Sequence, residues 1–175
     1  MSVEQPGVEQ SVQGFVNAWK RVITDPHGFF ADMPQAGGLQ EPVVFLTICA
    51  AVNAIGHMLV GMNIGVLLLA LAGEVLWAFI FAALLVLVAQ HLFDGRAGFE
   101  PIFRVVAYAA APTVLAWVPR LGILAMLYCW YLTVRGVERV QQFDATKAVL
   151  TVSIGVIGLL LVIGALAGHH GLRLG

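Results

Sequence analysis

The fold is decided by residues 43–92, which read VVFLTICAAVNAIGHMLVGMNIGVLLLALAGEVLWAFIFAALLVLVAQHL and contain one formal charge, Glu74. As one helix this stretch would extend for about 75 Å at about 1.5 Å per residue. The hydrocarbon core of a bilayer is only about 30 Å thick. Turn-forming residues lie near its middle, in the segment 61–65, which contains two glycines and an asparagine. The stretch therefore predicts two antiparallel membrane-spanning helices, span 1 over about 43–61 and span 2 over about 65–92.

The composition of the whole chain also indicates that most of it lies in a lipid bilayer. Of the 175 residues, 60% are hydrophobic and 11% are charged, shares far from those of soluble domains. A soluble protein of this size leaves too much surface in water to hide such an excess. The net charge of −1, without a block of Lys or Arg, argues against nucleic acid as a partner, because that binding needs many phosphate contacts. The lipid bilayer is the partner that the composition predicts.

Three more apolar runs predict spans 3, 4 and 5, over about 101–118, 120–135 and 148–168. Span 4 is short, so a re-entrant hairpin over 101–135 is an alternative, since non-helical backbone survives at depth only where protein or water covers it. The predicted fold is all-α, a polytopic membrane bundle with five transmembrane helices and an N-terminal amphipathic helix. Its parts are an N-terminal segment (1–42), a five-span membrane domain (43–168) and a short tail (169–175).

The N-terminal segment carries an apolar helical face, with residues recurring at i, i+3, i+4 and i+7: Val12, Phe15, Val16, Trp19 and Val22. Lys20 and Arg21 lie beside it. One hypothesis is an interfacial helix with Phe15 and Trp19 in the membrane and the basic pair facing anionic lipid. The alternative is a helix docked on the protein's own bundle. Asp25 is placed to cap a second helix that begins at Pro26.

Glu74 is the acidic residue that lies deepest in a predicted span. It lies about 13 Å beyond Gly65, and Asn53 lies about 12 Å before Gly61, so the two residues meet at one depth. His57, one turn from Asn53, is a second partner. An ionisable group in a span costs a few kcal/mol and needs a partner or a water-filled cavity. The cluster is either a protonatable site for coupling, ion passage or lipid headgroups, or a hydrogen-bond network that fixes helix packing.

Span 5 has a face of small residues, suited to close packing within the bundle or against a second copy of the chain: Thr151, Ser153, Gly155, Gly158, Gly164 and Gly168. Enzymatic signatures are missing from the sequence. Its two cysteines lie in apolar runs, its five histidines show no metal-ligand spacing, and it has neither a phosphate-binding loop nor a nucleophile turn. We therefore expect no catalytic residue, no metal site, no cofactor and no enzymatic activity.

Several short motifs occur in a characteristic order. Before the first span these are Trp19, Val22-Ile23-Thr24-Asp25-Pro26, Phe29-Phe30, Met33-Pro34, Gly37-Gly38 and Pro42. Later in the chain they are Phe103-Arg104-Val105, Ala107-Tyr108-Ala109, Pro112, Trp117-Val118-Pro119 and Gly122. In this order and spacing the chain resembles the Yip1 domain family, in particular its short prokaryotic members, over nearly its whole length.

The resemblance implies five hydrophobic spans behind a cytosolic N-terminal segment, in an integral protein of the prokaryotic cytoplasmic (inner) membrane. Eukaryotic members are linked to early secretory traffic and to prenylated Rab-type GTPases. Their acidic Asp-Leu-Tyr-Gly-Pro stretch has no counterpart here, so GTPase binding is not carried over. The family has no established catalytic residues, and Arg104, Tyr108, Pro112 and Pro119 enter as family-like positions. The first three form an i, i+4 row that serves either helix packing or a hinge at the proline.

Two functions of different classes follow from these features. The first is a non-enzymatic role in membrane organisation, trafficking-like assembly or binding of an unknown protein partner, using Phe15, Trp19 and the basic pair. The second is a transporter or channel component for ions, small solutes or lipids, using Glu74, Asn53 and His57.

The distribution of basic residues predicts the orientation, because inner loops are enriched in Lys and Arg. With the N-terminus inside, seven of the nine basic residues lie on the inner side, and Arg120 and Arg173 lie on the outer side. We therefore expect a topology reporter fused to the N-terminus to report the cytoplasm and one fused to the C-terminus to report the outside. An external N-terminus would contradict the predicted orientation.

Overall fold

The computed structural model describes residues 8–61 and 63–171, and these residues form helices joined by short connections. Met62, and Arg173 from the predicted outer set, lie outside the described residues. The α-helices are α1 (Val8–Thr24), α2 (Pro26–Asp32), α3 (Gln40–Leu59), α4 (Ile64–Phe93), α5 (Phe99–Ala109), α6 (Leu121–Gln141) and α7 (Ala145–Gly171). A 3₁₀ segment, Ala111–Leu115, follows α5. The predicted all-helical class is confirmed over the described part of the chain.

Within the described part of the chain, three helical segments are long and apolar enough to cross a membrane: Gln40–Leu59, Leu67–Phe93 and Ala145–Gly164. They correspond to predicted spans 1, 2 and 5. The helix α4 lies between the other two, because it contacts both α3 and α7. The amide oxygen of Asn63 caps α4 by accepting a hydrogen bond from the Gly65 N–H at 2.7 Å. The turn predicted within 61–65 therefore separates the first two long helices.

The prediction of five transmembrane helices is wrong. The helix α5 has 11 residues, a length of about 16 Å, which is about half of what a span needs. It ends at Ala109 because Pro112 has no N–H for a helical bond and its ring obstructs the preceding turn. The helix α6 has 21 residues, but Arg135, Glu138 and Arg139 make its last turns polar.

The segment from α5 through α6 forms a hairpin that packs between the long helices. The 3₁₀ segment contacts α3 and α6, and α5 contacts α3, α4 and α6. The indole of Trp117 covers Gly56 of α3, where a Cβ atom would lie 2.2 Å from the ring. Val105 of α5 similarly covers Gly136 of α6, where a Cβ would lie 2.3 Å from Cγ1 of the valine. The helices approach this closely because glycine has no side chain.

The two N-terminal helices join the same core. Val22 of α1 and Phe30 of α2 are buried, and α2 contacts α6. The predicted cap of α2 is confirmed, because the Asp25 carboxylate accepts a hydrogen bond from the Gly28 N–H at 3.0 Å and Pro26 occupies the first turn. Chain direction puts the starts of α3, α5 and α7 and the ends of α4 and α6 on one side of the bundle, which we call the N-terminal side.

The close contact at Gly136 predicts a loss of stability on adding one methyl group. Gly136→Ala pushes against the buried Val105, and such overpacking costs about 1–3 kcal/mol. We expect unfolding of the purified protein at a lower fraction of SDS. Gly158→Ala is the matched control, because a Cβ there meets nothing within 4 Å. Equal unfolding midpoints for the wild-type protein and Gly136→Ala would contradict the α5–α6 contact.

Candidate functional site

Glu74, Asn53 and His57 lie together in the structure. Asn53 and His57, one turn apart on α3, lie next to the Glu74 carboxyl of α4. Thr113, on the 3₁₀ segment, also faces this carboxyl. Three elements thus contribute to one polar cluster, which we call the Glu74 cluster: Glu74, Asn53, His57 and Thr113.

The Glu74 cluster contains polar atoms without partners. Asn53 Oδ1 and Thr113 Oγ1 are buried, and neither has a hydrogen-bond partner among the described residues. Buried polar atoms are normally paired, so such atoms call for an explanation. The arrangement can hold a proton, a water molecule or a small polar solute. Within the ranges 8–61 and 63–171, no group of His, Cys, Asp or Glu side chains is arranged to hold a metal ion.

Two thiols lie near the same carboxyl. Cys49, one turn before Asn53 on α3, and Cys129 of α6 both lie near Glu74, and both are free. Sequence reasoning missed the contributions of Thr113 and Cys129 to this region. Both residues come from segments distant in the chain, and their types carry no motif that points to the cluster.

The family-like position Arg104 is a second buried polar group, and its guanidinium is 2% exposed. Its Nη2 atom donates a hydrogen bond to the Gly38 carbonyl at 2.7 Å, and its Nε atom lies 3.5 Å from Glu100 Oε1. The same carboxylate accepts a hydrogen bond from the Gly38 N–H at 2.7 Å. Gly37 and Gly38 have positive φ angles of 129° and 85°, so glycine suits both positions. These contacts fasten the connector before α3 to the first turn of α5.

Tyr108, one turn further along α5, is the centre of an aromatic cluster. Its ring centroid lies 4.9 Å from that of Phe45 on α3 and 5.0 Å from that of Phe29 on α2. Phe45 in turn lies 5.1 Å from Phe15 of α1. Aromatic pairs at this spacing stabilise beyond their buried area. The cluster therefore joins the N-terminal helices to α3 and α5.

The helix α1 is docked on the bundle by two hydrogen bonds. The indole N–H of Trp19 donates to the carbonyl of Ala111 at 2.8 Å, and the hydroxyl of Tyr128 donates to the carbonyl of Ile23 at 2.7 Å. Phe15 and Trp19 thus contact protein. Of the basic pair, Lys20 is exposed and Arg21 forms an ion pair with Asp32.

The remaining predicted residues lie apart from these clusters. Pro119 is exposed in the turn before α6. On α7, Thr151 is buried and Gly155 faces Leu85 of α4, whereas Gly158 and Gly164 have open space beside them.

A comparison with protein-family models matches residues 20–167 to the Yip1 domain. The chain belongs to the Yip1 domain family. The match covers the Arg104 contacts, the Glu74 cluster and the aromatic cluster apart from Phe15. Comparisons with curated proteins and with solved structures returned no match. The resemblance of the short motifs to the Yip1 family is therefore confirmed, and the role of each residue has to come from its own contacts.

The Arg104 contacts in this Yip1 domain predict that Arg104 contributes measurably to the free energy of unfolding. Arg104→Met keeps the length of the side chain but removes the donor to Gly38 and the partner of Glu100, which we expect to cost about 2 kcal/mol. SDS unfolding of purified protein measures the change, and proteolysis of the connector at 33–39 should accelerate. The exposed Arg139 provides the control, since Arg139→Met should change stability by less than about 0.5 kcal/mol. Equal effects of the two substitutions would contradict the assignment.

Proposed function

We propose that this Yip1-family protein is a non-enzymatic integral membrane protein that organises the bilayer from one leaflet, with α1 as a helix held in place by the bundle. The observation that carries the proposal is the docking of α1 through Trp19 and the Ala111 carbonyl. An amphipathic helix that binds a membrane unaided can leave it again. One that is fastened to membrane-spanning helices stays in the leaflet.

The outer face of α1 supports contact with lipid. Val12 and Val16 are 55% and 49% exposed, and Lys20 is exposed one turn further on. They form an i, i+4 row on one face of the helix. Apolar residues followed by a cation are the composition of an interfacial helix. In the proposed arrangement the valines enter the acyl region and Lys20 lies among the headgroups.

The molecule is wider on its N-terminal side than on the opposite side, and this asymmetry links the lipid contact of α1 to membrane curvature. The connector at Gly38 meets the start of α5, and α2 packs on α6, so the N-terminal helices add to the cross-section on the N-terminal side. A protein that is wider in one leaflet favours a membrane that bends so that this leaflet lies on the convex side. We propose that the N-terminal side faces the cytoplasm of a prokaryotic cell, at its inner membrane, as the basic residues predict.

Curvature sorting tests the proposal. The protein, with a dye at its N-terminus, is reconstituted into giant vesicles, and a membrane-impermeant quencher distinguishes molecules whose N-terminal side faces outward. We expect outward-facing molecules to be enriched in a thin tube pulled from the vesicle, and inward-facing ones to be depleted, because the tube expands the outer leaflet.

Variants of α1 sharpen this experiment. Val12→Ser combined with Val16→Ser should reduce the enrichment, whereas Gln13→Ser combined with Asn17→Ser, at exposed polar positions of the same helix, should leave it unchanged. Equal partitioning of both orientations of the wild-type protein would overturn the proposed function.

The Glu74 cluster favours a second candidate function, that of a transporter or channel component. Its carboxyl group and unpaired buried oxygens are suited to a proton or a small polar solute. The structural alternative is that the same residues fix the packing of α3, α4 and the 3₁₀ segment.

Flux measurements separate these two roles of the Glu74 cluster. If it conducts, wild-type proteoliposomes should pass protons or ions, and Glu74→Gln should abolish the flux because it keeps the side chain's shape but removes its titration. Glu138→Gln on α6 is the control for charge removal away from the cluster. An absence of flux from the wild-type protein would remove this candidate.

A further inference from the structure

We infer that a groove between α1 and α3 binds one membrane phospholipid with a primary ammonium headgroup, of the phosphatidylethanolamine class. This α1–α3 groove has a volume of about 880 Å³, within the range of about 300–1,000 Å³ that ligand sites have. The inference deepens the proposed function and rests on it in one respect, the docking of α1 beside α3.

Apolar side chains line most of the groove. Val12 and Phe15 form the α1 wall, and Val44 and Ile48 form the α3 wall. Val44 is 51% exposed, so this wall is open at the side of the bundle. A groove of this kind on a membrane-spanning helix faces acyl chains, and one chain can replace the water or void that would otherwise fill it.

Polar groups line only one end of the groove. Gln40 and Glu41 lie in the first turn of α3. From Gln40 to Ile48 the helix rises about 12 Å, most of the depth of one leaflet, which is about 15 Å of a hydrocarbon core of about 30 Å. The change from polar to apolar along the groove is that of a phospholipid in the same leaflet.

Charge selects the class of headgroup. Glu41 is exposed at the mouth of the groove and takes part in none of the ion pairs found between described residues. Among the described residues that line the groove there is no Lys or Arg, so an anionic headgroup would meet a carboxylate without a compensating cation. A primary ammonium group pairs with the carboxylate and donates hydrogen bonds to it. The amide of Gln40 is a donor for the adjacent phosphate.

Photolabelling of the full-length protein tests the site. The protein is reconstituted in phosphatidylglycerol vesicles with a trace of phosphatidylethanolamine that carries a diazirine in one acyl chain, and labelled residues are mapped by mass spectrometry. We expect labelling at Val44 and Ile48. Unlabelled phosphatidylethanolamine should compete better than phosphatidylcholine or additional phosphatidylglycerol.

Substitutions distinguish lipid bound in the groove from lipid that contacts the rest of the membrane-facing surface. Val44→Trp fills the groove and should abolish its labelling, whereas Leu124→Trp, at an exposed position on α6, should not. Glu41→Gln changes an exposed side chain and should reduce the preference for phosphatidylethanolamine by about two- to fivefold, the range of an exposed ion pair.

Other outcomes would overturn the inference. Labelling without headgroup preference, unchanged by Glu41→Gln, would indicate ordinary boundary lipid. Protein crosslinks from a photoreactive residue at position 44, with no lipid adduct, would assign the groove to another segment or to a second copy of the chain. Failure of labelling with intact curvature sorting would reject the lipid site alone, whereas groove labelling without curvature sorting would reject the proposed function alone.

Discussion

A backbone that leaves the helical hydrogen-bond pattern inside a membrane protein must find other donors for its carbonyl groups. Here the α-helix breaks at Pro112, and the carbonyl of Ala111, at the start of the 3₁₀ segment, accepts the indole N–H of Trp19, 92 residues earlier in the chain. The helix α1 is therefore anchored at a distant helical break. Docking of α1 in turn creates the α1–α3 groove and turns Val12 and Val16 outward.

Two buried polar groups illustrate different uses of polarity in one bundle. Arg104 donates a hydrogen bond to the Gly38 carbonyl of the connector and forms an ion pair with Glu100 of its own helix, so its charge fastens two segments together although its Nε atom has no hydrogen bond. Around Glu74 the neighbouring oxygens of Asn53 and Thr113 remain without partners. Paired polar groups rigidify the packing around them, whereas buried oxygens without partners call for an explanation.

The sequence predictions were correct for features that depend on nearby residues and failed for features that depend on residues far apart in the chain. The long helices and the Asp25 cap were predictable because an uninterrupted apolar run and a capping residue act locally. Five spans were predicted because hydropathy counts apolar residues and does not show where Pro112 ends a helix. Thr113 was missed because its side chain reaches the Glu74 cluster only through the fold of the hairpin, and no spacing rule connects it to α4.

By itself the sequence determined that the chain lies in a lipid bilayer, that it is helical, where the three long helices run and which family motifs it carries. Each of these features depends on residue type and on neighbours a few positions away. The apolar face of α1 was also visible, but not its partner: periodicity identifies a face and leaves open whether lipid or protein covers it. Only the tertiary structure decided that Trp19 faces Ala111 and that an open groove separates α1 from α3. The reason is geometric, because each residue turns a helix by about 100°, and packing alone selects which side chains of distant helices meet.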